Sequence, residues 1–248
     1  MAGSGGSVNE VGTGASADVP ATASIASTAS TASTEALPAE HRWPVVVAMT
    51  GALALYGLVD RSLHIVPAWI VVVIVIAGLV PLVVVNPHHL TRQTRWSRAL
   101  GIAVAAAFAV VTQISIAVLL VALVSGDADG ISMLLNAVAM WLVQIIVFGL
   151  LFWELDRGGP VARRVEGVSD RAVQHFRFPQ KDGSTPTERR WEPSYVDYGY
   201  VALTNMMSFS PTDTMPLTHT AKLLMGWQAL TGFAMLALVI ARSVNIIG

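Results

Sequence analysis

Thr204 to Thr218, read TNMMSFSPTDTMPLT, crowds hydroxyls, an acid and two prolines between an aromatic-rich apolar run and a long apolar block. These side chains could meet a cation, with hydroxyls from Ser208, Ser210 and Thr212 and a carboxylate from Asp213. Asp213 could equally cap a short turn or sit hydrated at a membrane interface. Asn205, just upstream, is expected to hydrogen-bond a neighbouring loop rather than a ligand. A second pair of acids, Glu154 and Asp156 in FWELDRGGP, closes an apolar block where the helix dipole disfavours anions. Arg157 is placed to compensate them; a salt bridge to an Arg-rich linker or a cation at the membrane edge are the other readings. His88 and His89 are adjacent, and adjacent side chains rarely converge on one ion, so no metal site is expected. No HExxH, GxSxG, P-loop or Gly-rich dinucleotide turn is present, and no Ser–His spacing suggests a triad. The expectation is a protein that is not an enzyme, takes no cofactor, and has no basic groove for nucleic acid.

The elements that carry these residues follow from composition. Hydrophobic residues make up 54% of the chain and charged ones 12%, and the apolar residues fall in uninterrupted blocks, which predicts an all-α bundle in the lipid bilayer. There is no cysteine, hence no disulfide or thiolate site. Residues 1–42 are Ala, Ser, Thr and Gly with almost no large apolar side chains, which reads as a disordered tail without a secretory signal. Four apolar blocks occupy 43–155: Pro44–Val59, Ala68–Val85, Leu100–Val124 and Ile131–Trp153. A polar loop fills 156–193, and a fifth block, Ala221–Ile247, ends the chain. Thr112, Gln113, Asn136 and Gln144 lie inside these blocks and should face other helices.

Orientation comes from counting cations on alternate sides. Arg42, then Arg92, Arg95 and Arg98, then eight Lys and Arg between Glu154 and Asp197 fall on one side, against Arg61 alone on the other. The N-terminus, the Arg linker and the polar loop are therefore expected in the cytoplasm of a multi-pass cell-membrane protein.

In 194–248, Pro193 bars helix upstream, and Ser194 with Asp197 forms a capping-box pattern, so a helix should begin at Tyr195. Run to Met207 it would be roughly 20 Å long, too short to span ~30 Å of hydrocarbon. Non-helical backbone at that depth must be buried in protein or line a wet cavity. The expectation is five transmembrane helices plus a re-entrant half-helix; the alternative is six transmembrane helices, with Tyr195–Thr214 crossing completely. Gly226 and Gly232 in the last helix serve either as a hinge or for close packing.

Half-helix, loop, Asp-x-x-Pro-x-Thr and long helix is an order that resembles the pore module of potassium channels, where the filter TVGYG precedes the same motif. Asp213-Thr214-Met215-Pro216-Leu217-Thr218 stands in that register, which lays the filter positions on Ser208, Phe209, Ser210, Pro211 and Thr212. Neither filter glycine is there, Pro211 fixes φ and removes an N–H, and Phe209 is bulky, so a potassium-selective carbonyl ladder is not expected. Through FWELDRGGP, FRFPQ and SFSPTDTMPLT the chain resembles a family of bacterial integral membrane proteins whose ends are similar to this module. The resemblance implies a homo-oligomer in which Asp197, Thr204, Asn205, Pro216 and Thr218 support the half-helix and loop. It further implies a weakly selective path for monovalent cations, lined by hydroxyls and a ring of Asp213. The competing class is a non-conducting membrane scaffold in which the loop packs or binds a partner; an enzyme acting on lipid through Glu154, Asp156 or Asp213 stands third.

Overall fold

The computed structural model describes residues 40–41, 43–85, 95–125, 130–164, 172–183, 191–207 and 213–247, all within one compact unit of residues 36–248. Six α-helices stand among them: α1 Trp43–Leu58, α2 Ala68–Val85, α3 Arg95–Ser125, α4 Gly130–Leu155, α5 Tyr195–Met206 and α6 His219–Ile247. At 1.5 Å per residue α3, α4 and α6 are about 46, 39 and 43 Å long, enough to cross a bilayer. These three are also apolar enough to do so, over Trp96–Ser125, Ile131–Gly158 and His219–Val244. The apolar blocks read from the sequence all become helices, with α3 starting a turn earlier, at Arg95.

α4 is the hub of the bundle. It packs against α1, α3, α5 and α6, and 61% of its span is buried, against 22% for α6. Its core face carries Met140, Val143, Val147, Phe148, Leu151 and Phe152 at helical spacing. Polar side chains inside the apolar stretches bridge helices, as expected. Thr112 Oγ1 lies 3.2 Å from Gln144 Oε1, Gln113 Nε2 donates to Thr231 Oγ1 at 3.3 Å, and the hydroxyls of Tyr56 and Ser115 are 3.2 Å apart. Asn136 Oδ1 accepts from the Asp60 amide at 3.0 Å, tying the start of α4 to the α1–α2 connector. The starts of α1 and α3 lie at the opposite end, beside the end of α4: Glu40 bonds Trp153, and a Cβ at Gly101 would meet Glu154 Oε1 at 2.9 Å.

α5 is 12 residues, about 18 Å, and begins where the sequence says it should. Asp197 Oδ2 accepts from the Ser194 amide and from its hydroxyl, both at 2.7 Å, closing the first turn. Two glycines bring α5 onto α4, since a Cβ at Gly149 would lie 3.0 Å from Gly199 Cα. A third brings it onto α6, since a Cβ at Gly232 would lie 2.3 Å from Met206 O. Gly232 therefore serves close packing, whereas Gly226 faces open space. A two-stranded antiparallel ladder, β1 Phe176–Arg177 with β2 Met215–Pro216, joins the polar loop to the segment before α6.

Candidate functional site

Three sequence motifs far apart in the chain meet at the end of α4, and Asp156 is where they meet. The helix unwinds at Arg157, Gly158 and Gly159, whose φ values of 47°, 81° and 96° are left-handed, and this turn points the Asp156 side chain back into the protein. Asp156 is fully buried. Its Oδ1 accepts from the amides of His175 at 2.6 Å and Phe176 at 3.2 Å, and its Oδ2 from the Tyr198 hydroxyl at 2.6 Å. One carboxylate thus holds the polar loop and α5 together. With three donors it is satisfied as a buried charge must be, which suits an organising role.

Aromatic rings close around it. Phe176 and Phe178 of FRFPQ are buried and pack against Phe152 on α4 and Tyr198 on α5, with centroids 5.1 to 6.0 Å apart. Arg163, 2% exposed, lies over the Tyr198 ring at 5.0 Å and the Trp153 ring at 5.8 Å. Its Nη1 donates to the carbonyls of Trp153 at 2.6 Å and Asp156 at 3.0 Å, so a cation caps the C-terminal end of α4. The sequence assigned that compensation to Arg157. The left-handed turn sends Arg157 elsewhere, to Glu192 at 3.4 Å, where Lys181 also pairs. Glu40, in the tail by composition, is buried. It accepts from Trp153 Nε1 at 3.2 Å and the Tyr195 amide at 2.8 Å, with Arg164 3.7 Å away. Glu154 is buried and faces α3, against Gly101.

The segment after α5 returns to this same place. Leu217 N–H donates to His175 O at 2.8 Å, and the Thr218 hydroxyl lies 2.7 Å from His175 Nδ1 and accepts from the Ala221 amide at 3.2 Å, capping α6. Pro216 sits in β2 opposite Phe176. Asp213 is exposed, five residues ahead of the Thr218 cap, and forms no ion pair with Lys222. Ser208, Phe209, Ser210, Pro211 and Thr212 lie outside the described residues, as do His88, His89 and Arg92.

Further along α5, Asn205 is buried and finds its partners on α6 rather than in a loop. Its Nδ2 donates to Met225 O and Gln228 Oε1, both at 2.8 Å, while Gln228 Nε2 donates to Ala202 O at 3.0 Å. The Thr204 hydroxyl turns back on its own helix, toward the carbonyls of Tyr200 and Val201. No cluster of three or more metal-ligating side chains stands among the described residues. No protein-family model matches the chain, and neither does any curated protein or solved structure.

Proposed function

We infer that the protein is an ion-channel-like integral membrane protein in which α4, α5 and α6 form a pore-type module with a degenerate filter. One observation carries this reading: the start of α5 and the start of α6 are both fastened to the end of α4 through Asp156. Tyr198 fastens the first, and His175 with β1 fastens the second. A 12-residue helix that descends about 18 Å from this point, followed by chain that returns to it, is a re-entrant loop when α4 and α6 span the membrane. Exposed Trp43 and Trp96, at the starts of α1 and α3, support reading this end as a membrane interface. The C-terminal carbonyls of α5 then lie at depth beside Gly232, and a helix C-terminus favours a cation. In a homo-oligomer the hydroxyls and the acid of the segment ahead of α6 would serve a path for monovalent cations that discriminates weakly between them. The Arg-bearing end, with the N-terminus, faces the cytoplasm on this reading, in a multi-pass protein of the cell membrane.

A second reading, a non-conducting membrane scaffold, is favoured by the packing of α5. Its buried face, from Tyr195 to Met206, lies against its own chain, and Asn205 spends its donors on α6. Purified protein in liposomes separates the two. The channel reading expects a cation flux with little preference for potassium over sodium, reduced in Asp213→Asn, which removes charge and keeps shape. Silent liposomes from folded, oligomeric protein would leave the scaffold.

A further inference from the structure

The core between α1, α3 and α4 holds more hydrogen-bond donors than acceptors. Tyr56, Thr112, Ser115 and Gln144 are all fully buried there. The Thr112 hydroxyl spends its one hydrogen on Ala109 O at 2.9 Å and Gln144 Oε1 at 3.2 Å. The hydroxyls of Tyr56 and Ser115, 3.2 Å apart, share one hydrogen and hold a second that has no acceptor among the described residues. Gln144 Nε2 adds two more hydrogens and has no partner among the described residues either. Turning the amide over does not cure this, because Nε2 would then meet Thr112 and the oxygen would be left alone. A buried amide end without a partner is costly, most of all at bilayer depth.

These groups stand in line. The ring of His64, in the α1–α2 connector, lies 4.4 Å from the Tyr56 ring, and its Nε2 is also buried without a partner among the described residues. Tyr56 reaches Ser115, Ser115 is one turn from Thr112 on α3, and Thr112 reaches Gln144. The line starts beside exposed Asp60, Arg61 and Ser62 and ends near the middle of α4. Beyond Gln144, toward Asp156, the buried side chains are apolar: Ala105 and Phe108 on α3, Val147, Phe148 and Leu151 on α4. We propose that this line is a one-ended water inlet, open at the α1–α2 connector and closed at Gln144. Water both donates and accepts, so it serves either orientation of the Gln144 amide, takes the spare hydrogen of the Tyr56–Ser115 pair and meets His64 Nε2. An ion fits less well, since no carboxylate, Lys or Arg stands among these five side chains to balance it. The inlet is separate from the chain between α5 and α6, and requires only that α3 and α4 cross the membrane.

Two measurements on the full chain in lipid bilayers test it. Solid-state NMR of the wild-type protein reads the transfer of magnetisation from water to the Gln144 side-chain amide, a signal identified by its loss in Gln144→Met. That transfer should be about tenfold or more faster than to the backbone amide of Phe148, which water reaches only by local opening. The second measurement uses the absence of native cysteine, which leaves the infrared S–H band of an introduced thiol without background. Moved to heavy water, Ser115→Cys and Thr112→Cys should exchange S–H for S–D about tenfold or more faster than Ala105→Cys, on the closed side. Water transfer to Gln144 no faster than to the Phe148 amide overturns the inlet. So do equal thiol exchange rates at positions 105 and 115, whether both fast or both slow.

Discussion

Replacing Tyr198 by Phe tests how much of the grip on α5 comes from Asp156. The hydroxyl donates to Asp156 Oδ2 at 2.6 Å, and both residues are fully buried. Phe keeps the ring and its edge contacts with Phe176 and Phe178, so the hydrogen bond is the only term that changes. A hydrogen bond to a charged acceptor is worth about 1.5–3 kcal/mol. The carboxylate keeps its two backbone donors in the variant, which places the expected loss at the lower end, about 1.5–2 kcal/mol. Asp156→Ala is a different perturbation, because it leaves the buried Phe176 amide and Tyr198 hydroxyl and the half-buried His175 amide without an acceptor. At about 1–3 kcal/mol each this reaches the ~5–15 kcal/mol that holds a whole domain, so the variant should not accumulate folded. Equilibrium unfolding in detergent micelles, followed by tryptophan fluorescence, gives the comparison. A second cycle supports it: in the Asp156→Asn background, where the charge is gone, Tyr198→Phe should cost less than about 1 kcal/mol. A Tyr198→Phe protein within about 0.5 kcal/mol of wild type would refute the role given to this carboxylate.

Gly232→Ala should loosen α5 from α6, since its Cβ would stand 2.3 Å from a backbone carbonyl; a loss of about 1–3 kcal/mol is expected in the same unfolding assay, and Gly226→Ala, facing open space, should be silent. Stability should also depend on His175. Its value is lowered in the folded state, so the unfolded chain binds more protons between that value and 6.5; the contribution is complete above about 6.5, is lost as pH falls through the folded value, and is absent in His175→Asn. In liposomes, Asp213→Asn should carry less cation flux than wild type while unfolding at the same denaturant concentration.

The short helix α5 was legible because its signals are local. Pro193, Ser194 and Asp197 set its start within four residues, and the structure begins it at Tyr195. The apolar blocks were legible for the same reason, being continuous runs that have no other low-energy form in lipid. The site around Asp156 was only half legible. FWELDRGGP, FRFPQ and the segment from Asp213 stood out one by one, but the bonds that join them span 19 to 43 residues and leave no spacing to read. Proximity in sequence favoured Arg157 as the cation for this helix end, and the left-handed turn gave that place to Arg163. Glu40 was hidden by its neighbours, since a tail of Ala, Ser and Thr does not announce that one of its acids turns inward to Trp153 and Tyr195.

On the proposed reading, the chain between α4 and α6 enters and leaves the membrane on one side. The native chain has no cysteine, so single cysteines at Ser184, ahead of α5, and at Met215, behind it, report sidedness without a background. A membrane-impermeant thiol reagent applied to intact cells and to inverted vesicles should label both from the cytoplasmic side only, and a cysteine at Gly248 from the opposite side. Labelling of position 184 and position 215 from opposite sides would make Tyr195–Thr214 a complete crossing and would contradict the re-entrant module.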